Sequence, residues 1–262
     1  MRVETLGEGE PEIAVVGGIH GDEPAGVRAV EHFLETRPTV ERPVKFVIAN
    51  EEAIERDERY VEADLNRSFP GRGDGESHEI RLAHALGEEL RDCVTLALHT
   101  TRSYEGMFAL VDEVREFARE VCPRLSVDAV VETGHAEGRI FEVAPDTVEV
   151  ECGYQGSEQA ARNARQVARE FLAATGALPG EETPHRTDLP VFRLGDPVPK
   201  TTADEYEVFV ENFEEVLAGE RIAAADGEAV VAAEDFHPVL LSAYGYEDVF
   251  GYTAERVGTL SD

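Results

Sequence analysis

The sequence predicts an α/β fold in which helices flank a largely buried β-sheet, followed by a small β-rich domain. The first observation is that β-branched runs of about five residues alternate with amphipathic segments of about ten or more. The second is a change near residue 180, beyond which short strand-like runs are joined by turns. With 262 residues and a hydrophobic fraction of 42%, the chain can bury a sizeable core.

The individual elements follow from this alternation. Apolar and β-branched runs predict strands at 12–18, 44–50, 93–100, 107–111, 127–132 and 147–153. Helical periodicity predicts helices at 25–37, 77–91, 114–122 and 157–176. The stretch "GALPGEETPHRTDLP" then indicates a helix stop and a linker. We therefore predict one domain at 1–180 and a β-rich domain at 188–262, with strand-like runs at 191–201, 206–216, 220–234 and 237–246.

Composition restricts the class of partner and the compartment. The formal net charge of -31 argues against nucleic acid and anionic membranes, because binding phosphate requires clustered Lys and Arg. No run approaches the roughly 20 apolar residues of a membrane span, and "MRVETLGEGE" lacks a signal-peptide apolar region, so we expect a cytoplasmic protein. Cys93, Cys122 and Cys152 form no C-x-x-C pair, which predicts reduced thiols in or near the core.

The stretch "VVGGIHGDEPAG" (15–26) has two interpretations that can hold together. A helix could begin here, with Asp22 as its cap and Pro24 in its first turn. Alternatively, His20 and Glu23 could bind one metal ion, since a glycine-rich turn lets side chains three residues apart point at one spot. His99, at the carboxyl end of the apolar strand "LALHTT", adds a second imidazole. Two histidines and a carboxylate predict a catalytic zinc site with one open position.

A polar segment, "RYVEADLNRSFPG" (59–71), fits neither a helix nor a strand period. Its arginines lie close to a Phe-Pro-Gly turn, which favours a loop that binds an anion, because guanidinium pairs bidentately with carboxylate. In so acidic a chain, a solvated charged loop remains the alternative.

Four motifs, "GGIHGDE", "DLNRSFPG", "LHTT" and "VEVECGYQG", occur in an order that resembles the aspartoacylase and succinylglutamate desuccinylase family, relatives of the zinc carboxypeptidases. The resemblance spans about residues 12–178 and implies a central mixed sheet flanked by helices. It also implies a hydrolase that uses one Zn²⁺ per chain to remove an acyl group from an N-acylated amino acid. Its partner would then be a small-molecule substrate, and whether the chain forms a homo-oligomer is left open.

The resemblance also assigns roles to the metal-binding and catalytic residues. His20, Glu23 and His99 match the zinc ligands. Glu151 of "VECG" matches the glutamate that acts as general base and then as general acid. Arg59 matches the arginine that polarises the scissile carbonyl and stabilises its oxyanion.

Substrate-binding residues are implied in the same way. Asn66 and Arg67 match the pair that grips a substrate carboxylate, and Tyr244 in "LLSAYGY" resembles a substrate-binding tyrosine of the C-terminal domain. Arg139 could bind a second substrate carboxylate, a role for which Arg102 competes.

One departure from the family concerns the support of the metal ligands. Ala97 stands two residues before His99, where related zinc hydrolases commonly have an aspartate that orients a ligand. Either another group, such as a backbone carbonyl, replaces it, or zinc binds more weakly. On a strand, Cys152 would face away from Glu151, whereas Glu149 would share its face and is the second candidate for the proton carrier.

Two other functions remain open at this point. A carboxypeptidase-like enzyme would keep the metal site and cut a peptide, with Arg67 holding the C-terminal carboxylate. A non-catalytic acidic binding protein would keep only the fold, and it would be favoured if a metal ligand or Glu151 were absent.

The acidic residues are scattered along the chain, and Lys45 and Lys200 are its only lysines, which indicates an extreme halophile. We predict that low ionic strength destabilises the fold, because the Debye length grows from about 3 Å in molar salt to ~30 Å at 0.01 M. Melting temperatures measured from low to molar potassium chloride would test this. An unchanged value would contradict the salt adaptation.

Overall fold

The computed structural model describes residues 1–135, 137–179, 184–186 and 188–261. Part of the predicted linker, residues 180–183 and 187, lies outside the described residues. The helices are α1 (Pro24–Thr36), α2 (Glu51–Arg56), α3 (His78–Leu90), α4 (Glu116–Val121) and α5 (Glu158–Ala174). The strands are β1 (Arg2–Leu6), β2 (Ile13–Gly17), β3 (Val44–Ile48), β4 (Val94–Thr101), β5 (Phe108–Val111), β6 (Val130–Glu132), β7 (Thr147–Tyr154), β8 (Pro190–Pro199), β9 (Tyr206–Val208), β10 (Arg221–Ala225), β11 (Glu228–Val231), β12 (His237–Val239) and β13 (Val249–Thr259).

The described strands form one large mixed sheet and one small antiparallel sheet. The large sheet has ten strands in the order β1-β3-β2-β4-β7-β5-β6-β8-β13-β12. Its central strands β3, β2, β4 and β7 run parallel, whereas β5 is antiparallel to β7. The small sheet has the order β11-β10-β9. The predicted fold class, a mixed sheet flanked by helices with a small β-rich part at the C-terminal end, is confirmed.

The C-terminal strands contribute to both sheets. β8 pairs with β6, and β13 pairs with β8 and β12, so these strands extend the large sheet. The sequence did not predict β13, whose run contains two glycines, two threonines and an adjacent Glu-Arg pair in place of a clear apolar alternation. The division into domains at 1–180 and 188–262 remains a prediction.

Side-chain alternation along the central strands separates two apolar layers. Leu96, Leu98 and Val150 pack on the face shared with α1 and α5. Ala97 points the other way, toward the layer that contains the apolar residues of α3. Glu149 and Glu151 alternate with buried Val150 and therefore share the face of Ala97, which is the face where the candidate site lies.

Two glycines bring α1 close to the sheet beneath that site. A Cβ on Gly17, at the end of β2, would lie 2.4 Å from the backbone carbon of Gly26 in α1. Gly18 follows with a φ of +70°, a left-handed conformation that favours glycine. The chain can therefore turn at once from β2 toward α1 and hold the intervening residues against the edge of the sheet.

Two other sequence predictions concern thiols and membranes. The three cysteines are free and buried, as predicted. Cys152 packs in the layer opposite Glu151, which agrees with a core thiol. Within the described part of the chain, every helix is too short or too polar to cross a membrane.

Candidate active site

Three buried side chains meet at the carboxyl ends of β2 and β4. His20 lies in the turn after β2, Glu23 directly precedes α1, and His99 lies near the end of β4. Each residue is only 4% exposed. One potential ligand atom from each lies within 4.8 Å of the other two. The structure therefore brings these three predicted residues together in one cluster.

Both histidines turn the same ring nitrogen toward the carboxylate of the cluster. Nδ1 of His20 lies 2.8 Å from Oε1 of Glu23, and Nδ1 of His99 lies 3.3 Å from Oε2. Two imidazole nitrogens and one carboxylate are the donors that zinc takes in catalytic sites with an open position. The donor set and its spacing therefore fit a divalent cation such as Zn²⁺.

The opposite ring nitrogens face carboxylates from neighbouring parts of the chain. Nε2 of His20 lies 3.2 Å from Oδ1 of Asp64, within hydrogen-bond range. Nε2 of His99 lies 3.6 Å from Oε1 of Glu149, slightly beyond that range. A carboxylate behind an imidazole fixes its tautomer and its orientation. Both rings are thus backed by an acid on the side away from the cluster.

Glu23, and not Asp22, occupies the cap position of α1. Its side chain makes no capping hydrogen bond and instead accepts one from the backbone N–H of Thr100 at 2.8 Å. Asp22 accepts a hydrogen bond from Nε2 of Gln155 at 2.7 Å. The prediction of Asp22 as the cap is therefore wrong, because the helix begins one residue later. Pro24 does lie in the first turn, as predicted.

Opposite charges hold the cluster together. Burial raises the pKa of Glu23, but His20 and then His99 hold it well below its usual range. Burial lowers the pKa of His99, but Glu149 and Glu23 raise it to about 10. Since only neutral imidazole is a metal ligand, a bound metal ion would displace protons from these rings.

Glu151 and Glu149 lie on the same strand face but in different electrostatic surroundings. Glu151 pairs in register with His99, and its Oε2 is buried without a hydrogen-bond partner among the described residues. Burial, together with Glu23 and Glu149, raises the pKa of Glu151 to about 7. Burial also raises the pKa of Glu149, but Arg139 and His99 lower it to about 2. Of the two carboxyl groups, only Glu151 can exchange a proton near neutral pH.

Arg59 is fixed beside the cluster by two acids. Its Nη1 donates to Oε1 of Glu23 at 3.2 Å, and its Nε and Nη2 both donate to Oδ2 of Asp64 at 3.2 Å. Burial lowers the pKa of Arg59, but Glu23 and Asp64 raise it above its usual value. The guanidinium is therefore a permanent, oriented positive charge next to the potential metal ligands.

Two residues predicted to bind substrate are bonded to Glu149 instead of standing free. Asn66 donates from Nδ2 to Oε1 of Glu149 at 2.6 Å, and its Oδ1 accepts from the backbone N–H of Ile140 at 3.0 Å. Arg139 donates from Nη2 to Oε2 of Glu149, and its side chain is 12% exposed. In this structure, both therefore support a buried carboxylate.

Two cavities meet at the cluster. The inner cavity, of about 220 Å³, and the outer cavity, of about 550 Å³, share the lining residues His20, Arg59, Glu151, Leu240 and Tyr246. Arg67 lines only the inner cavity, where its Nη1 also donates to the backbone carbonyl of Asn66 at 2.6 Å. A molecule that spans both cavities would pass directly over the cluster.

The C-terminal part of the chain forms a wall of these cavities. Tyr244 lines the outer cavity, is 58% exposed, and accepts a hydrogen bond at its hydroxyl from the backbone N–H of Tyr206 at 3.4 Å. Tyr246 lines both cavities and is less exposed. Arg102 lines the outer cavity, and its Nε donates to Oε1 of Gln155 at 2.8 Å. Tyr246 therefore lies closer to the junction than the predicted Tyr244.

No role was assigned from the sequence to Asp64 or Tyr246, and Glu149 was not identified as a partner of His99. Asp64 is the first residue of the "DLNR" motif, so its position in that motif was the available signal. Tyr246 is the second tyrosine of "AYGY", and strand alternation placed Glu149 on the face of Glu151. Their contacts join segments that are far apart in sequence, which local patterns do not specify.

The chain is similar to known proteins of one family. The family described as "Succinylglutamate desuccinylase/Aspartoacylase catalytic domain" matches residues 10–175. A probable aspartoacylase from Prochlorococcus marinus is 37% identical over 103 residues, covering 36% of this chain and 35% of that protein. A succinylglutamate desuccinylase from Pseudomonas paraeruginosa is 35% identical over 164 residues, covering 50% and 48%. The chain thus spans between 35% and 48% of the length of these two curated relatives.

A solved structure extends the likeness to the C-terminal strands. The product-bound ectoine utilization protein EutE from Ruegeria pomeroyi matches with a TM-score of 0.79 at 19% identity. The match covers 97% of this chain and 87% of that chain. At this level of identity the likeness concerns the fold, which the two proteins share beyond the residues that the family match covers.

The geometry of the cluster generates a prediction about metal content. We expect about one zinc ion per chain in protein equilibrated with zinc, and a large loss of zinc in His99→Ala, because a three-ligand site loses one of its donors. Elemental analysis of both proteins measures this. His237→Ala is the control, since that imidazole lies on β12 outside the cluster. Equal zinc content in wild type and His99→Ala would contradict the assignment.

Proposed function

This chain belongs to the succinylglutamate desuccinylase/aspartoacylase family, and from that premise we propose that it is a zinc-dependent amidohydrolase that removes an acyl group from an N-acylated amino acid. The observation that carries the proposal is the buried cluster of His20, Glu23 and His99 beside Glu151 and at the junction of two cavities. The names of the aspartoacylase and desuccinylase relatives support the substrate class.

His20, Glu23 and His99 would hold the zinc ion in this proposal. Bound zinc supplies a Lewis acid for the carbonyl oxygen and lowers the pKa of water toward ~7. The remaining steps depend on side chains around the three ligands, whose positions the fold fixes independently.

Glu151 is the proposed general base and acid. Its pKa of about 7 lets the carboxylate take the proton of the attacking water near neutral pH and return it to the leaving amine. Its Oε2 is buried without a hydrogen-bond partner among the described residues, so this atom has no protein group to release first. Glu149 is less suited to this role, because Arg139 and Asn66 hold it as a carboxylate.

Arg59 is the proposed electrostatic partner of the carbonyl oxygen. Contacts with Glu23 and Asp64 fix its guanidinium, so little reorganisation is needed when negative charge develops on the oxygen. One well-placed donor of this kind can contribute roughly 3 to 4 kcal/mol to the stability of the transition state.

Arg67 is the proposed anchor of the substrate carboxylate in the inner cavity. Leu110, Leu194 and Tyr252 line the same cavity, so an anion with an apolar portion can lie there. Asn66 was predicted to share this task and Arg139 to bind a second carboxylate, but both are bonded to Glu149, which leaves Arg67 as the more available of the two arginines. Holding the carboxylate there places the amide over the cluster.

The wall formed by the C-terminal residues favours a small substrate over a peptide. Lys200, Tyr206, Tyr246 and Glu247 line the outer cavity together with His20 and Glu23 of the cluster. A carboxypeptidase-like enzyme needs space for a chain that continues away from the scissile bond, and this wall limits that space.

Cytoplasmic location and a halophilic origin belong to the same proposal, supported by the acidic composition.

A substrate panel tests the proposed function. Zinc-loaded protein in molar salt is incubated with N-acetyl, N-succinyl and N-formyl amino acids and with short peptides, and release of free amine is measured. We expect at least one class of N-acyl amino acid to be hydrolysed and the peptides to be poor substrates. Hydrolysis of the peptides alone would favour the carboxypeptidase alternative, and no turnover by zinc-bound protein would favour the binding protein.

Single substitutions separate binding from chemistry. Arg67→Ala should chiefly raise KM, because it removes a contact made equally in ground and transition states, whereas Arg59→Ala should chiefly lower kcat. Glu151→Gln should keep about one zinc per chain and lower kcat at least ~10²-fold, because the amide cannot accept a proton. Steady-state kinetics and metal analysis on the same preparations measure these effects. A Glu151→Gln protein with zinc and most of its activity would exclude Glu151 as the proton carrier.

A further inference from the structure

The ring nitrogen of His99 that faces away from the cluster has a single acidic neighbour in the described structure. Its Nε2 is buried and makes no hydrogen bond to any described residue. Oε1 of Glu149 lies 3.6 Å away, and Glu149 itself is 1% exposed. An N–H buried without a partner is costly, so the carboxylate opposite it is the group able to satisfy this nitrogen.

The strand register explains why this acid comes from β7. Ala97 and Glu149 are paired Cα partners on the neighbouring strands β4 and β7, and His99 and Glu151 are the next pair on the same face. An acid at position 97 would approach His99 from its own strand. Ala97 instead has only a methyl group there, and the side chain of Glu149 approaches from the adjacent strand.

Glu149 is itself held in a fixed position. Asn66 donates to Oε1 and Arg139 donates to Oε2, so each carboxylate oxygen has a donor other than His99. A buried charge is tolerated only when it is paired and hydrogen-bonded in this way. The carboxylate cannot rotate toward solvent without breaking both contacts, and it therefore presents Oε1 to the imidazole in one orientation.

We propose that Glu149 is the positioning residue for His99. From β7, it supplies the carboxylate that β4 lacks because position 97 is an alanine. It acts through the imidazole: it fixes the ring so that Nδ1 faces Glu23, as Asp64 does for His20. Asn66 and Arg139 serve this arrangement by holding the carboxylate. The inference rests on the proposed zinc site, and it assigns to a side chain the role for which the sequence offered a backbone carbonyl as one option.

Zinc affinity, measured by competition with a chelator, tests the role of Glu149. We expect Glu149→Gln and Glu149→Ala to bind zinc roughly 10 to 100-fold more weakly than wild type, the usual effect of removing a carboxylate behind a metal-bound imidazole. Glu170→Gln is the matched control. Glu170 is also a buried glutamate, it lies on α5, and it accepts hydrogen bonds from Ser126, a residue that is distant from it in sequence. Its affinity should equal that of wild type. Thermal unfolding of the metal-free proteins checks that each variant is folded.

Moving the acid back to β4 supplies the decisive comparison. In the Ala97→Asp/Glu149→Ala protein, an acid returns to the face of His99, and we expect zinc affinity at least about 10-fold higher than in Glu149→Ala. No recovery would show that the loss came from disturbing Asn66 and Arg139, which would overturn the proposal. Wild-type affinity in folded Glu149→Gln would also overturn it. Absence of zinc binding by the wild-type protein would instead refute the proposed function itself.

Discussion

The structure of this site depends on the carboxylate of Glu23. Its two oxygens contact the Nδ1 atoms of His20 and His99, and they also accept hydrogen bonds from Arg59 and the backbone of Thr100. A buried carboxylate requires such partners, because desolvation of an unpaired charge is expensive. The turn after β2, the start of α1 and the end of β4 are therefore held together by one charged group.

A second layer of charge surrounds this one. Asp64 contacts both His20 and Arg59, while Glu149 faces His99 and is bonded to Asn66 and Arg139. Residues of the "DLNR" motif thus orient other side chains as well as lining a cavity. This layer links the proposed catalytic and substrate-binding positions, so a substitution in one of them also changes the support of its neighbours. Effects of such substitutions are expected to be non-additive.

The local charge of the site contrasts with that of the whole chain. The formal net charge is -31, yet Arg59 and Arg67 line the inner cavity, and each contacts an acid or a backbone carbonyl that orients it. Fixed guanidinium groups let an acidic protein attract a carboxylate at one place. Salt screens exposed charges more than buried pairs, so this local attraction is compatible with work at high ionic strength.

The sequence by itself determined the alternating elements, the H-x-x-E turn and the strand face of Glu151, because periodicity and turn chemistry act over a few neighbouring residues. It also placed His20, Glu23 and His99 at strand ends that could meet. Tertiary structure alone decided the partners of Glu149. Asn66 lies 83 positions from Glu149 in the sequence, and His99 lies 50 positions from it. Arg139 lies 10 positions away. Such contacts depend on the order and register of β4 and β7 and on the path of the connecting loops, which local patterns do not specify.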